Sequence, residues 1–152
     1  MPSTALVPSP LVCDLHCDTL LEIEDGASFA SNPAGHGDIP QLRAGRVGLQ
    51  VFACFAPSGL AAARAHQEAN ALLDVPAVEC ARHADDVQLA QDARGVDAAV
   101  AAGKIAVLPA VENGHAIAGD LRNLELFRAR GVRYTTLTHA RHIEWTASCG
   151  ED

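Results

Sequence analysis

Four stretches of the chain are rich in apolar or β-branched residues yet too short for helices, and the segments between them repeat their apolar positions at helical spacing. Residues 10–16 open as an apolar run and pass into His16-Cys17-Asp18, the pattern of a buried parallel strand whose carboxyl end turns polar. Residues 47–55 (VGLQVFACF) are almost wholly apolar, with only Gln50 polar, and residues 105–111 form a third run. Pro109 interrupts that third run, because proline forfeits a ladder hydrogen bond. Residues 132–138 (VRYTTLT) are dense in β-branched residues and predict a fourth strand.

The intervening segments read as helices and loops. Residues 19–24 predict a turn of helix. Residues 25–40 hold Gly26, Pro33, Gly35, Gly37 and Pro40, so they predict a loop, placed where a substrate-facing wall would stand. Asp38 is an N-cap for a short helix over 39–44, which Gly45 ends. Residues 60–73 put Ala62, Ala65, Ala69, Leu72 and Leu73 on one face, and Pro76 restarts the helix after them. Residues 85–103 read as helical with a break at Gly95. Ile117, Leu121, Leu124 and Phe127 make a further stripe, with Asp120 as its N-cap and Gly131 as its stop. Strands alternating with helical segments predict an α/β fold with parallel βα units. Residues 1–9 are an irregular lead-in.

Composition narrows the function classes. At 152 residues, 49% of them hydrophobic, the chain suits one modest core, and only 4% aromatic residues means that helices pack through small side chains. A net charge of -8 argues against nucleic acid or an anionic membrane surface as partner. The odd count of five cysteines, without a C-x-x-C pair, suits free thiols in a reducing compartment. No signal peptide or membrane segment is recognisable, and a cytoplasmic location is the expectation.

The candidate chemistry lies at the ends of the strands. His16 and Asp18, two apart in an extended chain, face the same way and offer an imidazole nitrogen and a carboxylate oxygen to one metal ion. A lone His-x-Asp is weak, since the two could equally cap a strand end. Glu112 follows the third run and His139 the fourth, and in parallel α/β folds the carboxyl ends of the strands are where ligands bind. Glu112 could bridge two metal ions or cap the following helix; His139 alone reads as a loop histidine. Cys13 and Cys17 flank the first motif but lack zinc-ribbon spacing. His36, His66, His83 and His142 read as surface or loop residues.

DLHCDTL, DIPQLRAGRVGLQVFACF, GKIAVLPAVENGHAI and GDLRNLELFRARGVRYTTLTH, in that order, resemble the amino-terminal half of the membrane (renal) dipeptidase family, peptidase M19. The resemblance implies a (β/α)8 TIM barrel, of which residues 1–152 would form the amino-terminal half, about four βα units. It implies two zinc ions, with His16 and Asp18 as ligands of one and Glu112 shared by both. His139 matches a histidine that binds substrate and steadies the tetrahedral intermediate, and the implied reaction is hydrolysis of dipeptides by a metal-bridged hydroxide. Two further zinc-binding histidines, a substrate-pairing arginine and a late aspartate of the family have no counterpart in this sequence. The expectation is therefore a truncated barrel with at most one well-formed zinc site. Its alternatives are an inactive fragment and a small α/β metal-binding module. Open strand edges would favour homo-oligomers.

Overall fold

A strand buried on both faces needs apolar residues at nearly every position, and residues 47–55 supply them. In a computed structural model, which describes residues 11–24 and 27–151, they form the inner strand β2. The elements run β1 (Val12–Cys17), α1 (Thr19–Glu24), α2 (Ile39–Ala44), β2 (Val47–Phe55), α3 (Ala62–Leu72), α4 (Val75–Arg82), β3 (Val87–Leu89), α5 (Ala93–Ala101), β4 (Ile105–Glu112), a 3-10 turn (Gly114–Ile117) and α6 (Arg122–Ala129). The sheet order is β1-β2-β4-β3, with every pairing parallel. The fold is thus α/β, a parallel sheet with alternating helices, as part of a barrel would have. Among the described residues no helix is long and apolar enough to cross a membrane.

The two faces of the sheet differ. Phe52, Cys54, Val107 and Val111 point to the face covered by Leu42 of α2, Ala65, Ala69 and Leu72 of α3, Cys80 of α4 and Phe127 of α6. The opposite face carries Val51, Leu108 and Ala110 with Leu49 and Tyr134 against them. At its amino-terminal end α5 closes that face, through Ala99 and Val96 against Ala106 and Leu49.

One helix expectation and one strand expectation need correction. The 85–103 stretch is not one interrupted helix. It contains β3, whose three residues are too short to print a period, and then α5, in whose first turn Gly95 donates its N–H to the Asp92 carboxylate at 2.8 Å. Residues 132–138 do not form a ladder strand; they meet β4 through one parallel bridge, Val111 to Thr135. Pro109 explains how both arrangements fit one strand. β3 pairs with β4 only as far as Val107, the 134–136 segment joins only at Val111, and Pro109 falls in the gap between them. The Val107 carbonyl and the Val111 N–H both bond to that side, so the N–H missing from Pro109 would have pointed into the gap, where no strand needs it.

Asp38 caps α2 as its sequence predicts, accepting the Gln41 N–H at 2.9 Å. The 25–40 loop, by contrast, is anchored on the helix-covered face. Phe29 stacks on Phe52 with ring centroids 4.7 Å apart, and its N–H donates to the buried carboxylate of Glu79 at 2.9 Å. α6 starts at Arg122, later than the stripe implies, with Asp120 accepting the Arg122 N–H. The open edge is as expected: β1 pairs with β2 alone among the described residues, and Leu15 on it is 59% exposed. The lead-in over residues 1–9, residue 10 at the start of the first expected strand, and Asp25 and Gly26 lie outside the described residues.

Candidate metal centre

A β-bulge aims the first motif. Asp14 pairs with Gln50, but Cys17 pairs with Phe52, so three steps along β1 match two along β2. Counting back from Cys17 sets His16 beside Val51, on the face that also carries Leu108, Ala110 and Glu112. Unbroken alternation from Asp14 would have turned His16 toward the helices. Asp14 steadies the bulge by accepting the His16 N–H at 3.1 Å. β1 ends at Cys17, so Asp18 belongs to the link into α1, and strand alternation does not by itself set it on the side of His16.

His16, Asp18 and Glu112 converge, with one donor atom from each lying within 4.8 Å of the others. His16 Nε2 is 3.3 Å from Glu112 Oε2 and 3.6 Å from Asp18 Oδ1. Donors held about 2.1 Å from a tetrahedral ion lie about 3.4 Å from one another, so one imidazole nitrogen and two hard carboxylate oxygens at these spacings fit a divalent ion such as zinc. The other Glu112 oxygen, Oε1, is 3.6 Å from His139 Nε2. Glu112, only 12% exposed, therefore sits between two imidazoles with one oxygen toward each.

His139 is held above the end of β2, its ring edge-on to Phe55 at 4.9 Å, while its carbonyl accepts the Ser148 hydroxyl at 2.6 Å. His142 stands apart as expected, accepting the Ser148 N–H through Nδ1. Cys13 and Cys17 do not join the metal cluster, and Cys17 turns its Sγ to the Thr19 hydroxyl at 3.1 Å. All five cysteines are free. His36 is exposed as expected. His66 is not a surface residue: it is half-buried, its Nδ1 bonds the Ala116 carbonyl at 2.8 Å, and its ring lies against Phe127. His83 is also partly buried, 3.6 Å from the Glu79 carboxylate.

Two residues absent from the sequence reading support the cluster. The Tyr134 hydroxyl donates to the Leu15 carbonyl and lies 3.2 Å from His16 Nδ1. Burial first, then the carboxylates of Glu112, Asp14 and Asp18, push the Tyr134 phenol above its usual pKa, so it stays a donor at neutral pH. The signal available in the sequence was that this is the chain's one tyrosine, set within the last β-rich run. The other residue is Asn113, fully buried at φ 78°, which donates to the Ala56 carbonyl and the Ser58 hydroxyl and accepts the His115 N–H.

A parallel α/β sheet that gathers an imidazole and two carboxylates where its strands end has the form of a metal-centred barrel protein. The family model for membrane dipeptidases (peptidase family M19) matches residues 3–152. Over 130 residues the chain is 33% identical to dipeptidase ataJ of Aspergillus terreus (strain NIH 2624 / FGSC A1156), covering 80% of this chain and 32% of that protein. The fold matches the probable dipeptidase PvdM from Pseudomonas aeruginosa with a TM-score of 0.81 at 18% identity, covering 91% of this chain and 37% of that one. It matches a metallo peptidase from Rhodobacter sphaeroides, liganded with a phosphinate mimic of the dipeptide L-Ala-D-Ala, with a TM-score of 0.78 at 21% identity, covering 87% and 46%. The chain belongs to the membrane dipeptidase family, peptidase family M19. It spans about a third of the curated relative's length and less than half of each of these solved chains.

Proposed function

We propose that this chain carries the first metal site of a zinc-dependent dipeptidase, with His16, Asp18 and Glu112 as ligands and His139 as the substrate-facing histidine. The observation that carries the reading is the meeting of those three donors on the open face of the sheet. When bound, a divalent ion there supplies Lewis acidity, acidifying water and polarising an amide carbonyl. The protein's own residues do the rest. Glu112, nearly buried between two imidazoles, offers an acceptor for a proton leaving the attacking water. His139, half-exposed, edge-on to Phe55 and with Nε2 3.6 Å from Glu112 Oε1, would offer an N–H donor to a scissile carbonyl that gains negative charge.

The donor set also bears on what these 152 residues do alone. Among the described residues the second oxygen of Glu112 is the one donor of the proposed ligand set left over for a second ion, so the chain by itself is proposed to hold one zinc and to hydrolyse dipeptides slowly or not at all. Zinc content after dialysis should approach one per chain, and His16→Ala should abolish it. Zinc retained by His16→Ala would remove His16 from the site. Zinc absent from the unaltered chain would leave the trio as an ion-pair cluster. A small dipeptide panel that includes L-Ala-D-Ala, assayed with and without added zinc, then separates metal binding from turnover.

A further inference from the structure

The hydrogen bonds around Tyr134 fix more than its own position. A carbonyl has no hydrogen to give, so in the contact with Leu15 the phenol must be the donor. Its one hydrogen is then committed, and toward His16 Nδ1 the phenol oxygen can act only as acceptor. That contact requires the imidazole proton to sit on Nδ1. In the neutral ring, the form that can bind a metal ion, the lone pair is then on Nε2, the atom facing Glu112 Oε2 at 3.3 Å and Asp18 Oδ1 at 3.6 Å.

We propose that Tyr134 is a positioning residue for metal capture, holding His16 in the Nδ1–H tautomer with Nε2 bare toward the two carboxylates. The inference rests on the reading of His16 as a ligand. Imidazole free in water prefers its proton on the other nitrogen, so without Tyr134 each capture would first need a tautomer change and a ring held by nothing at Nδ1. Partners that orient a ligating histidine in this way typically contribute about 10- to 100-fold in metal affinity. The bulge makes the arrangement possible: it turns His16 onto the face where Tyr134 packs against the cluster of Val51, Leu108 and Ala110. One hydroxyl thus restrains both the bulged carbonyl and the ring that follows it.

Tyr134→Phe keeps the ring in that packing and removes only the hydroxyl. In the zinc-free chain, nitrogen-15 shifts of the His16 ring, assigned by their loss in His16→Ala, should report Nδ1–H in the unaltered protein and a shift toward Nε2–H in Tyr134→Phe. Competition against a fluorescent chelator should show zinc affinity falling about 10- to 100-fold. An unchanged tautomer, or an affinity within twofold of the unaltered chain, would overturn the proposal. A purely structural tyrosine would change the unfolding midpoint and leave the ring shifts where they were. If His16→Ala itself leaves zinc binding intact, the ligand assignment fails and not the role of Tyr134 alone.

Discussion

Replacing Asn113 tests whether the backbone beside Glu112 is held under strain by side-chain hydrogen bonds. Its φ of 78° with ψ of 113° lies outside the conformations open to most L residues, and it persists because the buried amide is tied at three points. Asn113→Ala removes all three bonds at about 1 kcal/mol each and leaves the Ala56 carbonyl short of a donor, a loss of about 3 to 4 kcal/mol. Asn113→Gly removes the same bonds but relieves about 1 to 3 kcal/mol of backbone strain. Against that relief stands about 0.5 to 1 kcal/mol from the added freedom of the unfolded chain. Glycine should therefore be the milder change by about 1 to 2 kcal/mol, the reverse of the usual order within a helix or strand. With a urea slope of about 2 kcal/mol/M, the glycine variant should unfold at a midpoint about 0.5 to 1 M above the alanine variant by far-ultraviolet circular dichroism. An alanine midpoint equal to or above that of glycine would refute the strain argument. Two variants indistinguishable from the unaltered chain would refute the hydrogen-bond argument.

Glu79 is 1% exposed and accepts the Phe29 N–H and one Arg82 N–H, so Glu79→Ala should cost about 3 kcal/mol in urea denaturation; a loss under 1 kcal/mol would count against its role as the loop's anchor. Burial pushes the Cys54 and Cys80 thiols up to about 12, with Glu79 adding to the effect at Cys80. At pH 8 a thiol reagent should therefore modify exposed Cys13 and Cys149 quickly and reach Cys54 and Cys80 only after denaturant is added, as peptide mass mapping would show. A Cβ at Gly114 would come within 2.6 Å of the Leu137 carbonyl and 2.5 Å of the Trp145 ring, so Gly114→Ala should displace the His139 loop and shift the emission of Trp145, the chain's one tryptophan. An unaltered emission spectrum would show that the contact yields without cost.

The sequence carried the parts of the fold that repeat, and lost those decided by single contacts between distant segments. β2 and β4 were legible because each is an almost wholly apolar run, and α2 because Asp38 and Gly45 bracket it. β3 was not, since three residues contain no period. Residues 132–138 misled because β-branched composition measures fitness for a sheet surface, and Pro109 leaves that segment only Val111 to bridge. His66 was read as a surface residue because its partner, the Ala116 carbonyl, is 50 positions away. For the site, strand-end placement brought out His16, Asp18, Glu112 and His139, whereas Tyr134 and Asn113 act through contacts that no spacing records.

The bulge in β1 shows why a correct site residue and a correct route to it are separate matters. Strict alternation does place His16 and Asp18 on one side of an ideal strand, but Asp18 lies beyond the strand and His16 reaches Glu112 only because one residue has slipped against β2. A strand with ideal register from Asp14 to Cys17 would carry the same letters and direct the imidazole into the helix layer. Capacity to bind an ion is therefore a property of the β1-β2-β4 register, and that register is made by parallel ladders within the described residues. A deletion of Leu15, the residue that the bulge adds, leaves Asp14 beside Gln50 and His16 beside Val51, so zinc binding should survive it, weakened only by the loss of the Leu15 carbonyl that anchors Tyr134. Loss of zinc by that deletion as complete as in His16→Ala would mean that the face His16 occupies is not what brings the donors together.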